Sequence, residues 1–532
     1  MRPDQIVSVL ARRGLLQPTL PHRSLGQVRA LTTWGFGLSG EARGAAARRP
    51  SGIAIVDESG RLTYAELIAQ AERVTRVLLA RGVRPGDRVA VLARNSRDLV
   101  IAMLAIDQLG GDVVLLNTGF AAEQLAAAAQ AYGIGLVVHD EEFGPLLAET
   151  AVAALDLAGL MALGDGPAGR GRAVRPPARR GHVIVLTSGT TGTPKGAPRR
   201  NPGGVDSFVA IIERIPLHAA DRVLISAPIF HTWGFAALQL CFGLQATIVL
   251  RRRFEPATAY ADLVEHDCQV MFAVPVMIQR LHEWRSANTG PRPPALRVVA
   301  TSGSRLPATL PVPFMDDFGD VLYSLYGSTE ASWVTIAVPE QLRAHPDTAG
   351  TPPLATRVAL LDADLAEVPD GDVGQFYVAN SMVFEGYLGG ADSHRHDGLI
   401  ATGDLGRHVD GLYYVDGRVD QMIVSGGENV YPAAVEDALC ALDGVAEAAV
   451  LGVSDPEFGQ RLIAFVVAAP GADLDGEAVR AALRGHISRF ALPREVRVVD
   501  ALPRNETGKV SLVALSALLA PKEAQGGVTG PH

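Results

Sequence analysis

Strand-length apolar runs alternate with segments of helical period along most of this chain, and that alternation admits few architectures. GIAIVDESG (52–60) reads as a strand and turn, after which Thr63 and Glu66 stand at capping-box spacing. The helix they open carries Leu67, Ala71, Val74 and Leu78 at helical intervals and is expected to stop at Gly82. RVAVLA (88–93) follows as a buried strand, then a helix near 97–109, the strand GDVVLLN, a helix near 121–131 and the strand IGLVVHD. The same alternation resumes from 182 to about 335, which predicts layered α/β structure.

Other stretches differ. Residues 164–181 hold five arginines among Gly and Pro and are expected to form a surface loop. The short segments RVALLD, GQFYVAN and GLYYVDG suggest a small antiparallel or barrel-like subdomain. Beyond about Asp420, helices near 432–442 and 476–489 and strands AEAAVLGVS, RLIAFVVAA and REVRVVD are enough for a compact α/β domain. At 532 residues the chain has room for several such units. Its net charge of -9 gives no broad basic field for nucleic acid. Cys241, Cys268 and Cys440 lack the spacing of a zinc cluster or a disulfide framework, and the N-terminal segment is interrupted by Gln5, Arg12 and Arg13 before a signal-type apolar core develops. A cytoplasmic protein without a membrane span is expected. The charge-free run 223–250 is broken by Pro228, His231 and Gly234 and reads as buried strand, turn and helix.

Lysine is the compositional anomaly. Only Lys195, Lys509 and Lys522 occur, while the other 45 of the 48 basic residues are arginine. A compact ammonium on a flexible stem does what a planar guanidinium cannot, so Lys195 and Lys509 are candidate functional residues; Lys522 sits in a polar tail. Lys195 ends TSGTTGTPK, a loop of Gly and hydroxyl residues entered from the apolar run HVIVLTS. Gly189, Gly192 and Gly196 permit close backbone approach to phosphate oxygens, the hydroxyls of Ser188, Thr190 and Thr191 add donors, and Lys195 adds charge. A Walker A loop requires Ser or Thr after its Lys, and Gly196 stands there instead.

TSGTTGTPKG resembles the signature loop of the adenylate-forming enzymes, which include acyl- and aryl-CoA synthetases, luciferases and peptide-synthetase adenylation domains. APIFHTWGF (227–235), YGSTEAS (326–332), TGD (402–404), YYVDGRVDQMIVSGGENVYPAAVE (413–436) and PRNETGK (503–509) continue it in family order, so the resemblance spans about residues 51–515. It implies an N-terminal extension (1–50), a large domain of layered α/β subdomains with a small barrel-like one (51–419), a mobile C-terminal α/β domain (420–515) and a polar tail (516–532).

The resemblance also implies site roles. The loop from Thr187 through Ser188, Gly189, Thr190, Thr191 and Gly192 to Lys195 would cradle the phosphates of ATP. Tyr326 and Gly327 would lie along the adenine, Thr329 would bond the α-phosphate, and Glu330 with Thr190 would hold Mg²⁺ through hard oxygen ligands. Gly303 and Ser304, in TSGSRLP, fall at the adenine-contacting loop, where Ser304 and Arg305 depart from the family's paired small residues. Asp404 would grip the ribose hydroxyls with Arg418 beside it. His231 would line the wall between carboxylate and ATP, with Trp233 and Phe235 beginning the acyl pocket. Asp420 marks the hinge. Gly426, Gly427 and Glu428 would line the coenzyme A thiol tunnel, and Val424 stands where luciferases carry a lysine just upstream. Lys509 would be the catalytic lysine of adenylate formation.

The implied reaction activates a carboxylic acid with ATP and Mg²⁺ and transfers it to coenzyme A. With 23 residues after Lys509, no fused carrier domain is expected, and 350–404 has no helical insertion of the fatty acyl-AMP ligase type. The resemblance to bacterial fatty-acid CoA ligases points to a fatty acid; an aryl acid, or a carrier protein as acceptor, are the alternatives.

Overall fold

The structure is a computed structural model. It describes every residue except 149, 188–194, 200–202, 289, 385, 387–393, 426–427, 456–458, 485 and 520–532, and only the backbone of 187, 195–197, 199, 428–429 and 459. Contacts divide the chain into a larger unit (1–306, 310–402 and 407–414) and a smaller one (307–309, 403–406 and 415–532). The sequence reading put the boundary at Asp420; grouped by contacts, Asp404 and Arg418 fall in the smaller unit.

Two sheets dominate the larger unit. The first runs Thr335–Ala337, Leu322–Tyr326, Val298–Thr301, Val270–Ala273, Arg222–Ile225, Thr247–Leu250, Ile53–Asp57, Gly60–Thr63, with six parallel strands between two antiparallel edges. The second runs Ala153–Asp156, Ile134–His139, Arg88–Leu92, Asp112–Leu115, Val183–Thr187, Lys195–Arg199, parallel except for its last pair. The expected strands and helices of this region therefore form, including the helix Thr232–Gly243 between strands Arg222–Ile225 and Thr247–Leu250. Thr63 and Glu66 close their capping box: the Thr63 N–H donates to Glu66 Oε2 at 2.8 Å, and the Glu66 N–H donates to Thr63 Oγ1 at 3.3 Å. One apolar core joins both sheets through the helix Arg97–Gln108, in which every residue from Leu99 to Ile106 is buried. A helix apolar all round belongs inside, and this one fills the layer between the sheets. A third, five-stranded sheet contains Arg357–Leu361, Gly374–Ala379 and Leu412–Arg418, the segments read as a small β subdomain, with Leu399–Val409 also in it as the partner of Leu412–Arg418.

The first fifty residues hold three helices, Pro3–Arg12, Pro21–Trp34 and Leu38–Arg48. Their Ala and Gly content reflects close packing. A Cβ on Gly40 would stand 1.7 Å from the Gly35 carbonyl oxygen, and one on Gly26 would stand 3.2 Å from Ala47 Cβ. The span 164–181 expected as a surface loop starts inside the helix Leu157–Asp165 and a short helical turn Pro167–Gly169, with Gly164 and Gly169 buried; the rest is loop, tied down where Arg179 Nη2 donates to buried Asp112 at 3.0 Å. Among the described residues no helix is long and apolar enough to cross a membrane.

In the smaller unit, strands Val445–Asp455 and Gly459–Ala468 pair antiparallel and are covered on both faces. Val450, Leu462, Ala464 and Val466 meet the helices Pro432–Cys440 and Gly476–Leu483 through Val435, Leu439, Val479 and Leu483, while Ala449, Leu451, Ile463 and Phe465 meet Leu502 and Leu515. Successive residues of a strand point to opposite faces, so one hairpin serves two cores. The helix expected over 476–489 ends at Leu483, two residues before Gly485, a residue that disfavours helix. The three cysteines are free thiols, and burial pushes Cys268 and Cys440 up to about 12.

Helix Leu38–Arg48 brings a second carboxyl, Glu41, near the half-buried Asp107. Burial, with Asp107 adding repulsion, pushes Glu41 up to about 8, and burial raises Asp107 although the Ser39 N–H donates to it at 2.9 Å. A carboxyl whose folded pKa lies above its unfolded value stabilises the fold fully below the unfolded pKa, and that contribution is lost as pH rises through the folded one. Thermal stability is therefore expected to fall between about pH 4.5 and pH 8. Glu41→Gln should flatten that fall in melting curves recorded across the window; an unchanged slope would show that Glu41 is not its source.

Candidate active site

Loops that leave the carboxyl ends of parallel strands are where open α/β sheets gather ligand-binding groups. Three such loops of the first sheet carry sequence-predicted residues. After Arg222–Ile225, the N–H groups of Ser226 and Ala227 donate to the Phe272 carbonyl at 2.9 and 3.1 Å, and the His231 N–H donates to Pro228 O at 3.1 Å. His231 is extended at the head of the helix Thr232–Gly243, its ring 4.6 Å from that of Phe230. The helix starts this close because residue 234 is glycine: a Cβ there would stand 2.2 Å from Pro228 O. Trp233 donates its indole N–H to Ala273 O at 3.1 Å and meets Phe272 edge-on. Trp233 is buried and Phe235 is only 1% exposed, and both pack into the apolar core of the larger unit.

The second loop follows Val298–Thr301. Gly303 takes φ +97°, a left-handed conformation that favours glycine, and Ser304 comes next. Beyond the adjacent parallel strand, Leu322–Tyr326, lies the third loop, where Tyr326 sets its ring edge-on to Phe376 and its hydroxyl 3.4 Å from Thr402 Oγ1. Gly327 is required by close approach, since a Cβ would stand 2.1 Å from Ser332 O. Ser328 Oγ accepts from the Ala331 N–H, closing a turn across Thr329 and Glu330. Segment 380–384 pins that turn from outside. Asn380 Nδ2 donates to Ala331 O and Trp333 O at 2.7 and 2.8 Å, Ser332 Oγ donates to Met382 O, and the Phe384 N–H donates to Glu330 O at 2.9 Å. Sequence reasoning missed Asn380; its only signal is an Asn at the end of the apolar run GQFYVAN.

In the second sheet, Thr187 and Lys195 face each other across the antiparallel pair of strands Val183–Thr187 and Lys195–Arg199, and Thr187 ends a strand that is parallel to its other neighbour. Ser188, Gly189, Thr190, Thr191 and Gly192 lie outside the described residues, as does the Lys195 side chain.

The smaller unit holds two further groups. Arg418 joins two carboxylates, Nη1 to Asp404 Oδ1 at 3.1 Å and Nε to Asp420 Oδ1 at 3.0 Å. Asp404 is buried at 6% exposure, whereas the Arg418 and Asp420 side chains are 43% and 55% exposed. Gly403 has φ +80°, and a Cβ there would stand 3.2 Å from Arg418 Nη2. Lys509 closes a turn organised by Asn505, whose Oδ1 accepts from the Thr507 and Lys509 N–H groups, each at 3.0 Å, and from Thr507 Oγ1 at 2.6 Å. Gly508 supplies the left-handed residue at φ +77°, and Arg504 ties the turn to Glu447 at 2.6 Å, leaving Lys509 exposed. Gly426, Gly427 and the Glu428 side chain lie outside the described residues, on the hairpin between Ile423–Ser425 and Glu428–Val430. Among the described residues no three His, Cys, Asp or Glu side chains could hold a metal together.

The profile of the AMP-binding enzyme family matches residues 42–388, and that of the AMP-binding enzyme C-terminal domain matches residues 434–509. The chain belongs to the AMP-binding enzyme family. It is similar to a feruloyl-CoA synthase of Amycolatopsis sp, 32% identical over 477 residues that cover 87% of this chain and 94% of the relative. A 3-[(3aS,4S,7aS)-7a-methyl-1,5-dioxo-octahydro-1H-inden-4-yl]propanoyl:CoA ligase of Mycobacterium tuberculosis (strain ATCC 25618 / H37Rv) is 33% identical over 503 residues, covering 88% and 96%. Among solved structures, the o-succinylbenzoate CoA synthetase of Bacillus subtilis in complex with its acyl-adenylate intermediate matches with a TM-score of 0.80 at 27% identity, over 92% of this chain and 98% of that one. The adenylate-forming fold, with a large N-terminal and a small C-terminal domain, is thus established for this family member.

Asn380 offers a test of the pinned turn. Asn380→Ala should destabilise the protein by about 1–3 kcal/mol, because two buried carbonyls lose their donor. Hydrogen exchange of residues 327–334 should accelerate; protection at the parental level would show that the turn holds itself.

Proposed function

We propose that this AMP-forming acid–thiol ligase activates a ring-bearing carboxylic acid and passes the acyl group to coenzyme A. The enzyme uses ATP, Mg²⁺ and coenzyme A. In the first half-reaction a carboxylate oxygen attacks the α-phosphorus of ATP and pyrophosphate leaves; in the second, the thiol sulfur attacks the acyl carbon and AMP leaves. A carboxylate has no usable leaving group in water, and the adenylate supplies one. The protein's part is positioning and charge.

The observation that carries the substrate reading is the ring common to the acids named by the feruloyl, octahydroindenyl-propanoyl and o-succinylbenzoate relatives, two of which match this chain over most of its length at 32% and 33% identity. Those names support a ring-bearing acid over the fatty acid suggested by sequence resemblance. The residue roles are part of the same proposal. The loop from Thr187 to Lys195 receives the phosphates. Tyr326, Gly327, Gly303 and Ser304 receive the adenine, and Thr329 bonds the α-phosphate. Glu330 and Thr190 hold Mg²⁺, which when bound neutralises phosphate charge. His231 stands between acid and nucleotide, and Asp404 takes the ribose hydroxyls with Arg418 orienting it. Lys509 stabilises the charge that develops as the adenylate forms; Asp420 is the hinge, and Gly426, Gly427 and Glu428 serve the thiol. We place the reaction in the cytoplasm, in keeping with three free thiols and the absence of a membrane-spanning helix among the described residues.

Acid-dependent pyrophosphate exchange across ferulate-like, indole-type and straight-chain C8–C16 acids tests the substrate. Ring-bearing acids should exceed straight-chain ones by about tenfold or more in kcat/KM, a difference of roughly 1.4 kcal/mol that pocket contacts readily supply; the opposite order would restore the fatty-acid reading. Lys509→Ala should slow adenylation on the order of 10² to 10³-fold, by comparison with loss of other preorganised donors. Conversion of supplied acyl-AMP and coenzyme A should persist, and Lys509→Arg should not restore adenylation fully, because a planar fork replaces a compact donor. Parental pyrophosphate exchange in Lys509→Ala would remove the residue from the mechanism. Glu330→Gln should weaken the first half-reaction more than the second, measured in the same pair of assays.

A further inference from the structure

The loop that delivers His231 is held by a side chain from the other sheet. Asn95 follows the strand Arg88–Leu92 of the second sheet and is only 5% exposed. Its Nδ2 donates to Ala227 O at 3.0 Å and to Ile225 O at 3.4 Å, and its Oδ1 accepts from the Ile229 N–H at 2.8 Å. All three partners are backbone groups of the first sheet, at the end of Arg222–Ile225 and in the loop that follows. Ala227, Ile229 and Phe230 are buried around them, so no solvent replaces the amide. A primary amide is the side chain that donates to carbonyls and accepts from an N–H within one plane. Asn95 itself is fixed on both sides: before it the Arg94 N–H donates to Asp140 Oδ2 at 2.8 Å, and after it Ser96 Oγ accepts from the Leu99 N–H and caps the helix Arg97–Gln108. The opposite side of the loop is held by Phe272 O, so Asn95 and Phe272 grip residues 225–229 between them.

We infer that Asn95 is a positioning residue for acid activation, setting the backbone of 226–230 and through it the placement of His231. The inference rests on the proposed role of His231 between acid and nucleotide. A leucine or alanine at 95 leaves three buried backbone groups without their partner. An aspartate keeps the bond from Ile229 N–H but turns a second acceptor toward Ala227 O. In either case the loop must move to find new partners, and His231, four residues beyond Ala227, moves with it.

The test compares Asn95→Ala, Asn95→Asp, His231→Ala and the double variant Asn95→Ala/His231→Ala in the full-length enzyme, each first shown to be folded by its circular dichroism. Asn95→Asp serves as the second variant if Asn95→Ala does not fold. Acid-dependent pyrophosphate exchange gives kcat and KM for the acid, and equilibrium titration gives AMP affinity. Asn95→Ala should lower kcat/KM for the acid by about thirtyfold or more while AMP affinity stays within about twofold, and the double variant should be no slower than the slower single one, because residues that act through one another are not additive. Multiplying losses in the double variant, or an acid kcat/KM for Asn95→Ala within about threefold of the parent, would overturn the positioning role. A silent His231→Ala is a different failure: it removes the proposed role of His231, and the role of Asn95 falls with it.

Discussion

Two parallel sheets share one core in the larger unit, and their register depends on polar groups at the carboxyl ends of their strands finding partners in the other sheet. Asp57 ends a strand of the first sheet and is nearly inaccessible; Arg97 opens the central helix of the second, and its guanidinium and its own N–H both reach the Asp57 carboxylate, at 2.8 Å and 3.0 Å. Asn95 repeats the bridge with backbone groups, and Arg252 repeats it from the first sheet to Asp140 of the second at 2.9 Å. Apolar packing alone allows sheets to slide over one another, because it is non-directional. Buried carboxylates and amides do not, since loss of one partner leaves the other desolvated and unpaired, which costs on the order of 3–5 kcal/mol for an ion pair. The same three ties fix the end of the molecule at which the candidate loops emerge, so the fold and the site share their anchoring.

The strand and helix order was legible in the sequence because it is written in local patterns. The capping box at Thr63 and Glu66, the apolar runs at 88–93 and 111–117, and the Gly-rich loop before Lys195 each declare themselves within ten residues. What was not legible depends on partners far along the chain. Asn380, Asn505 and Asn95 look alike as loop asparagines, yet one pins the Glu330 turn, one builds the Lys509 turn, and one bridges two sheets. The first fifty residues read as an Arg-, Ala- and Gly-rich extension because small residues mark close helix packing only when the facing helix is known.

The arginine bias also becomes intelligible. Many arginines act as ties between distant backbone and carboxylate groups: Arg13 to the carbonyls of Ile212 and Glu213, Arg179 to Asp112, Arg504 to Glu447 and to Gly508 O. A planar fork with five donors suits two acceptors at once. Lys509 stands on the turn that Arg504 immobilises, so the same seven-residue motif uses a guanidinium to fix the backbone and an ammonium to carry charge on a flexible stem. Exchanging the two would reverse both functions, which is why the scarcity of lysine is informative here.

Arg418 draws the last connection. Exposed ion pairs contribute little to stability, about 0–1 kcal/mol, and Arg418 is partly exposed, so its two carboxylate contacts are better understood as geometry than as strength. One planar group spans a buried acid, Asp404, and an exposed one, Asp420, sixteen residues apart in sequence and on either side of the strand Leu412–Arg418. Gly403 leaves room for that guanidinium by having no side chain. One side chain therefore contacts both the carboxylate proposed to take the ribose and the residue proposed as the hinge.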